Sequence, residues 1–154
     1  MRSAPTYPRL FGLAGLLPQL LCLLVLWFGP TEWKWTALAI SYGYAALIFS
    51  FLGGMWWGLA SAADARGQSV SPWVWVAAIA PSLLALMTYI PWVLGCSWPE
   101  PSLIALGVML PLSLLVDWRL ASISPSWWMR LRITLSCSLG TVTILIALTS
   151  CGRF

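Results

Sequence analysis

The chain has 154 residues, 60% of them hydrophobic and 8% charged, with a mean hydropathy of +0.88; a soluble domain carries about 25% charged residues, so lipid rather than water surrounds this one. There is no histidine, and the four cysteines form no CxxC, which takes away the usual metal and haem ligands, the usual general base near neutral pH and the clustered thiols of zinc or redox sites. The formal charge of +4 comes from eight Lys and Arg scattered between apolar stretches, a pattern that reads as membrane topology and not as a nucleic-acid interface.

Five apolar segments follow in chain order, at 10–28, 35–63, 74–94, 103–116 and 133–150. A helix crossing the hydrocarbon needs roughly 20 residues. The fourth segment is short unless Pro101-Ser102 and Trp118 lie among the headgroups, and the second is long enough that it must tilt or project. The first could be a secretory signal, with Arg2 and Arg9 as its basic region. Its apolar run exceeds an ordinary h-region and no small-x-small site follows Trp27-Phe28-Gly29-Pro30, so it is expected to be a transmembrane helix. The expected fold class is all-α: a single domain over 1–154, a bundle of five transmembrane helices.

The charges orient that bundle. Arg2, Arg9, Arg66, Arg119, Arg130 and Arg132 fall on one side, and Lys34 and Arg153 on the other. The positive-inside rule then places the amino terminus inside and the carboxyl terminus outside, a parity that five crossings satisfy. Tryptophans fall at the same two levels: Trp27, Trp33, Trp35, Trp92 and Trp98 outside, Trp73, Trp75, Trp118, Trp127 and Trp128 inside. About 20 residues of rise from Trp35 bring Trp56 and Trp57 to the inner level, which predicts an interfacial anchor there, or a wall for a ligand.

Reading the second segment in steps of four gives Ala46, Ser50, Gly54, Gly58 and Ala62, a ridge of small side chains with GMWWG as a GxxxG at its centre. In lipid, helices associate by close backbone approach, and small residues permit it. Packing within the bundle is the expectation, and a face for a partner helix, lipid or pigment is the alternative. Pro18, Pro81 and Pro111 lie inside three segments and free the carbonyls of Ala14, Ala77 and Gly107. Neighbouring helices ordinarily absorb such kinks; transporters use them, and Gln19 and Ser82 are placed to join a polar pocket of that kind.

The stretch VDWRLASISPSWWMRLR turns between the last two segments. Asp117 is expected to pair with Arg130 or Arg132 across the antiparallel helices, and Asp117, Arg119, Arg130 and Arg132 form a candidate docking surface for anionic headgroups or a partner's acidic loop. Cys96 and Cys151 share the outer side, where an oxidising compartment would permit a disulfide. The sequence offers no paired carboxylates, no nucleophile beside a base and no phosphate loop. No enzyme, no metal site and no cofactor are expected.

SFLGGMWWG, with Tyr42-Gly43 before it and Pro81-Ser82-Leu83, DWR and WWMRLR after it, resembles a family of small uncharacterised five-helix bacterial inner-membrane proteins that includes human transmembrane protein 69, a mitochondrial relative. The likeness runs from LFGLAGLLP to the fifth segment, and FLGGxxWG is its most distinctive part. The family pattern often has histidine or arginine at the position of Trp56, so no ionisable role carries over there. A second likeness, to the tryptophan-rich translocator proteins that bind tetrapyrroles, rests on size and composition alone. The expected function is that of a non-enzymatic accessory or assembly subunit of a larger energy-transducing (respiratory or photosynthetic) complex, touching membrane lipids and other integral subunits. The alternative is a small-molecule, tetrapyrrole or lipid binding or transport protein of the same bacterial inner membrane.

Overall fold

The computed structural model describes residues 5–150. Its elements are all helical: α1 (Thr6–Ala14), α2 (Leu17–Phe28), α3 (Thr31–Asp64), α4 (Pro72–Val93), α5 (Glu100–Leu112), α6 (Leu114–Arg119) and α7 (Trp128–Ser150). α1 with α2, and α5 with α6, join into single spans, so five helices are long and apolar enough to cross a membrane. α3, at 34 residues, is about 51 Å long, well beyond the roughly 30 Å of a hydrocarbon core. It is the central post, with α2, α4, α5 and α7 packed around it.

Prolines and glycines account for the breaks. Pro18 stands in the first turn of α2, where its missing N–H is harmless. The chain before it closes in a tight turn, Leu16 N–H to the Leu13 carbonyl at 3.0 Å, and the Tyr44 hydroxyl donates to the Gly15 carbonyl. Pro111 precedes the interruption at Ser113 that separates α5 from α6. Pro81 and Pro91 stay within a continuous α4. Gly67 and Gly95, at φ of 74° and 71°, turn the chain after α3 and α4 in the left-handed conformation that glycine adopts without penalty.

Two backbone crossings knit the bundle. A Cβ on Gly53 would stand 2.1 Å from the Ala78 carbonyl oxygen, so only glycine lets α3 and α4 meet there. A Cβ on Gly140 would stand 2.5 Å from the Gly107 oxygen, the carbonyl that Pro111 deprives of its helical partner. The Cα–H of Gly140 therefore covers that oxygen, a weak hydrogen bond of the kind found where membrane helices cross. Deeper in the bundle, Gln19 is fully buried and its amide nitrogen donates to Ser41 Oγ (2.8 Å) and Thr143 Oγ1 (2.9 Å), clasping α2, α3 and α7.

The expectation that the ridge packs within the bundle is corrected for three of its five residues. Gly54, Gly58 and Ala62 are exposed, and no described atom comes within 4 Å of where a Cβ on Gly54 or Gly58 would sit. Ala46 is partly buried and Ser50 bonds Ser82 Oγ of α4 at 2.8 Å. The reason is helical drift. Each step of four residues overshoots a full turn by about 40°, so the five-member run winds from the edge of the core at Ala46 to the outer surface at Ala62. The buried line of α3 runs instead through Ala45, Phe49, Gly53, Trp56, Ala60 and Ala63. The disulfide expectation involves Cys151, which lies outside the described residues, as do Arg2 and Arg153; Cys96 is exposed.

Candidate functional site

The break at Ser113 redirects the chain so that α6 turns Asp117 inward, where it is fully buried. Three donors converge on its carboxylate. Oδ1 accepts from the indole N–H of Trp56 (2.9 Å) and of Trp128 (3.0 Å), and Oδ2 accepts from Arg132 Nε at 2.9 Å. Arg132 Nη2 donates to Ser113 Oγ (3.0 Å), and Ser113 passes its own proton to the Leu110 carbonyl (2.6 Å). A buried ion pair survives desolvation only where further hydrogen bonds complete both partners. Here two indoles and a hydroxyl do so, tying α3, α5, α6 and α7 together at one end of the bundle.

This placement resolves one expectation and corrects two. Of the two arginines open to Asp117, Arg132 is the partner. Asp117 and Arg132 are therefore interior groups and present no surface to headgroups or an acidic loop, whereas Arg119 and Arg130 remain exposed. Trp56 is 2% exposed and faces the bundle, so it is no interfacial anchor. Trp57 beside it does lie at the surface, edge-on to Trp75 with ring centroids 4.9 Å apart. Sequence reading missed the Trp56–Asp117–Trp128 arrangement. The available signal was two indole N–H donors near a carboxylate that had to be buried to pair.

The network divides two clefts. One, of about 430 Å³, lies between α1, α3 and α7. Phe11, Phe51, Trp127, Trp128, Arg132 and Ser136 are in its wall, and leucines close it further along. Ser136 is 2% exposed and its Oγ has no hydrogen-bond partner. The second, of about 260 Å³, lies between α3, α4 and α5 and includes Trp56, Ala77, Pro81 and Ser113. Of the three prolines expected to open a polar pocket, Pro81 lines the second of these clefts together with Ala77, and Pro18, Pro111 and Gln19 line neither of the two. The arrangement can hold a molecule that is apolar over most of its length and polar at one end.

No curated protein and no solved structure matches the chain. A family model described as a protein of unknown function (DUF3429) matches residues 4–148. The match takes in every element from α1 to nearly the end of α7, and on that extent the chain belongs to the DUF3429 family.

Proposed function

We propose that this protein is a non-enzymatic, multi-pass membrane protein that holds an apolar or amphiphilic small molecule, drawn from the bilayer, in the cleft between α1, α3 and α7. The observation that carries the reading is the cleft itself. At about 430 Å³ it falls within the range of about 300–1,000 Å³ typical of ligand sites, and it has their usual build of apolar walls with a few placed polar groups. The same reading takes the membrane to be a bacterial inner membrane, as the family resemblance implies, and puts the amino terminus inside on the distribution of Lys and Arg between the two sides. The likeness to transmembrane protein 69 lends no activity.

Mass spectrometry of the organic extract of protein purified in mild detergent tests it. One molecular species near one per chain is expected, and Leu135→Trp, which fills the cleft from α7, is expected to strip it. A species retained unchanged in Leu135→Trp would sink the proposal.

A second reading, the accessory subunit of an energy-transducing complex, is favoured by one observation: Gly54 and Gly58 face outward with open space before them. Small outward residues admit the backbone of another membrane helix. Native gel electrophoresis of the unpurified membrane extract decides it, since Gly54→Leu would release the chain from a larger band, and migration of the unaltered chain on its own would end this reading.

A further inference from the structure

We infer that the occupant of the 430 Å³ cleft is an uncharged amphiphile whose head is a flat ring bearing carbonyl acceptors, the chemistry of an isoprenoid quinone. This rests on the ligand-binding reading above and names the class of ligand.

Beside the indole of Trp127, two polar side chains in the wall have a hydrogen to donate. Arg132 spends Nε on Asp117 and Nη2 on Ser113, which leaves Nη1 for the cleft that Arg132 lines. Ser136 stands one helical turn further along the same face of α7. A helical serine ordinarily returns its proton to a carbonyl a turn behind, yet Ser136 Oγ is buried and bonded to nothing. Ser136 is in the wall of the cleft, and no described group holds its hydroxyl. Two donors one turn apart ask for an acceptor.

Charge excludes the commoner acceptors of a membrane. The guanidinium of Arg132 is already matched by Asp117, with side-chain exposures of 6% and 0%. A carboxylate or phosphate entering beside them would be a second anion against one cation in a low-dielectric site, and an uncompensated buried charge is strongly unfavourable. A cationic head would meet the guanidinium. A neutral carbonyl meets neither penalty.

Shape completes the assignment. α1 and α7 enter the membrane from the same end, because the spans alternate and an even number of crossings separates them. Gly12 of α1 sits against Leu135, whose Cδ1 lies 2.8 Å from where a Cβ would be. Trp127 and Trp128 thus stand at the Arg132 end, Phe11 is level with Leu135 near the middle, and Leu16 and Leu139 lie toward the other end. Trp128 and Leu139 are separated by about 17 Å of helical rise. Aromatic faces suit a flat ring, and the leucine end suits a hydrocarbon tail.

The test compares three probes on detergent-solubilised protein by isothermal titration: a decyl-substituted benzoquinone, decanoate at pH 8 and methyl decanoate. The quinone is expected to bind one per chain and at least about tenfold more tightly than decanoate, whose charge the site cannot match. Ser136→Ala is expected to weaken the quinone roughly fivefold to tenfold, the loss of one hydrogen bond, with Ser136→Thr close to the unaltered protein. Decanoate or methyl decanoate binding as well as the quinone, or Ser136→Ala without effect while Leu135→Trp still blocks binding, would overturn the quinone head and leave a site for a lipid tail. Quinone binding untouched by Leu135→Trp would overturn the site and, with it, the ligand-binding function.

Discussion

Asp117 accepts from two indoles and a guanidinium without touching solvent, and that density of donors takes the place of water around a carboxylate inside an apolar bundle. The energetic consequence is asymmetric. Removing one partner leaves the other charge buried and unmatched, at about 3–5 kcal/mol, whereas replacing both with apolar side chains of similar volume is often neutral. Asp117→Leu and Arg132→Met are each expected to lower the thermal unfolding midpoint sharply, and the double variant is expected to recover most of the loss. Additive losses in the double variant would mean that the two residues do not act as a pair. The pairing was half legible: two antiparallel helices joined by a short turn bring Asp117 near both Arg130 and Arg132, but the choice between them is a matter of which face of α7 points inward. Trp56 was not legible at all. Its indole is apolar enough for lipid and polar enough for a carboxylate, so composition alone assigns it to either place.

Helix by helix, the spans expected at 10–28, 35–63, 74–94, 103–116 and 133–150 are all present, each extended at one or both ends into its flanking residues. Those extensions were hidden because residues at a membrane boundary carry no hydropathic mark of being helical. The glycines show what periodicity can and cannot tell. GMWWG names the right turn of α3 but the wrong face, since the glycine in contact is Gly53, one position before the motif. Gly53→Leu and Gly140→Leu would each force a side chain into a neighbouring carbonyl oxygen and are expected to destabilise the isolated chain by at least about 1–3 kcal/mol. Gly54→Leu and Gly58→Leu, facing open space, are expected to stay within about 0.5 kcal/mol. Heating of the variants in detergent, followed by far-UV circular dichroism, separates the two sets; equal losses at Gly53 and Gly54 would contradict the placement of α3. Gly107 and Gly140 meet through the carbonyl that Pro111 frees, a pairing of two distant residues that no local pattern announces.

For the molecule as a whole, the arrangement around α3 puts Cys96 and Ser126 in turns at opposite ends of the spans, both exposed. With the other cysteines replaced, Cys96 is expected to react with a membrane-impermeant maleimide in intact cells. Ser126→Cys, in a background that also lacks Cys96, is expected to react only in inverted vesicles. The reverse pattern would invert the orientation drawn from the arginines. The two clefts belong to this scale as well, since each needs three helices that are far apart in the chain, and neither the unpartnered Ser136 nor the opening before Phe11 has a sequence signature.

The sequence by itself determined that the chain has five segments apolar enough to cross a bilayer, where proline and glycine interrupt or turn it, and which loops carry the basic residues. Each of these is a contrast between apolar and polar along the chain, and water at the two membrane surfaces makes that contrast sharp. Only the tertiary structure decided which face of each helix is inside: that Trp56 turns toward Asp117 while Gly54 and Gly58 turn away, and that α1, α3 and α7 leave a cleft between them. In water a helix announces its buried face by its apolar stripe. In lipid the surroundings are as apolar as the interior, so the stripe vanishes, and the face is chosen by close packing and by a few buried hydrogen bonds.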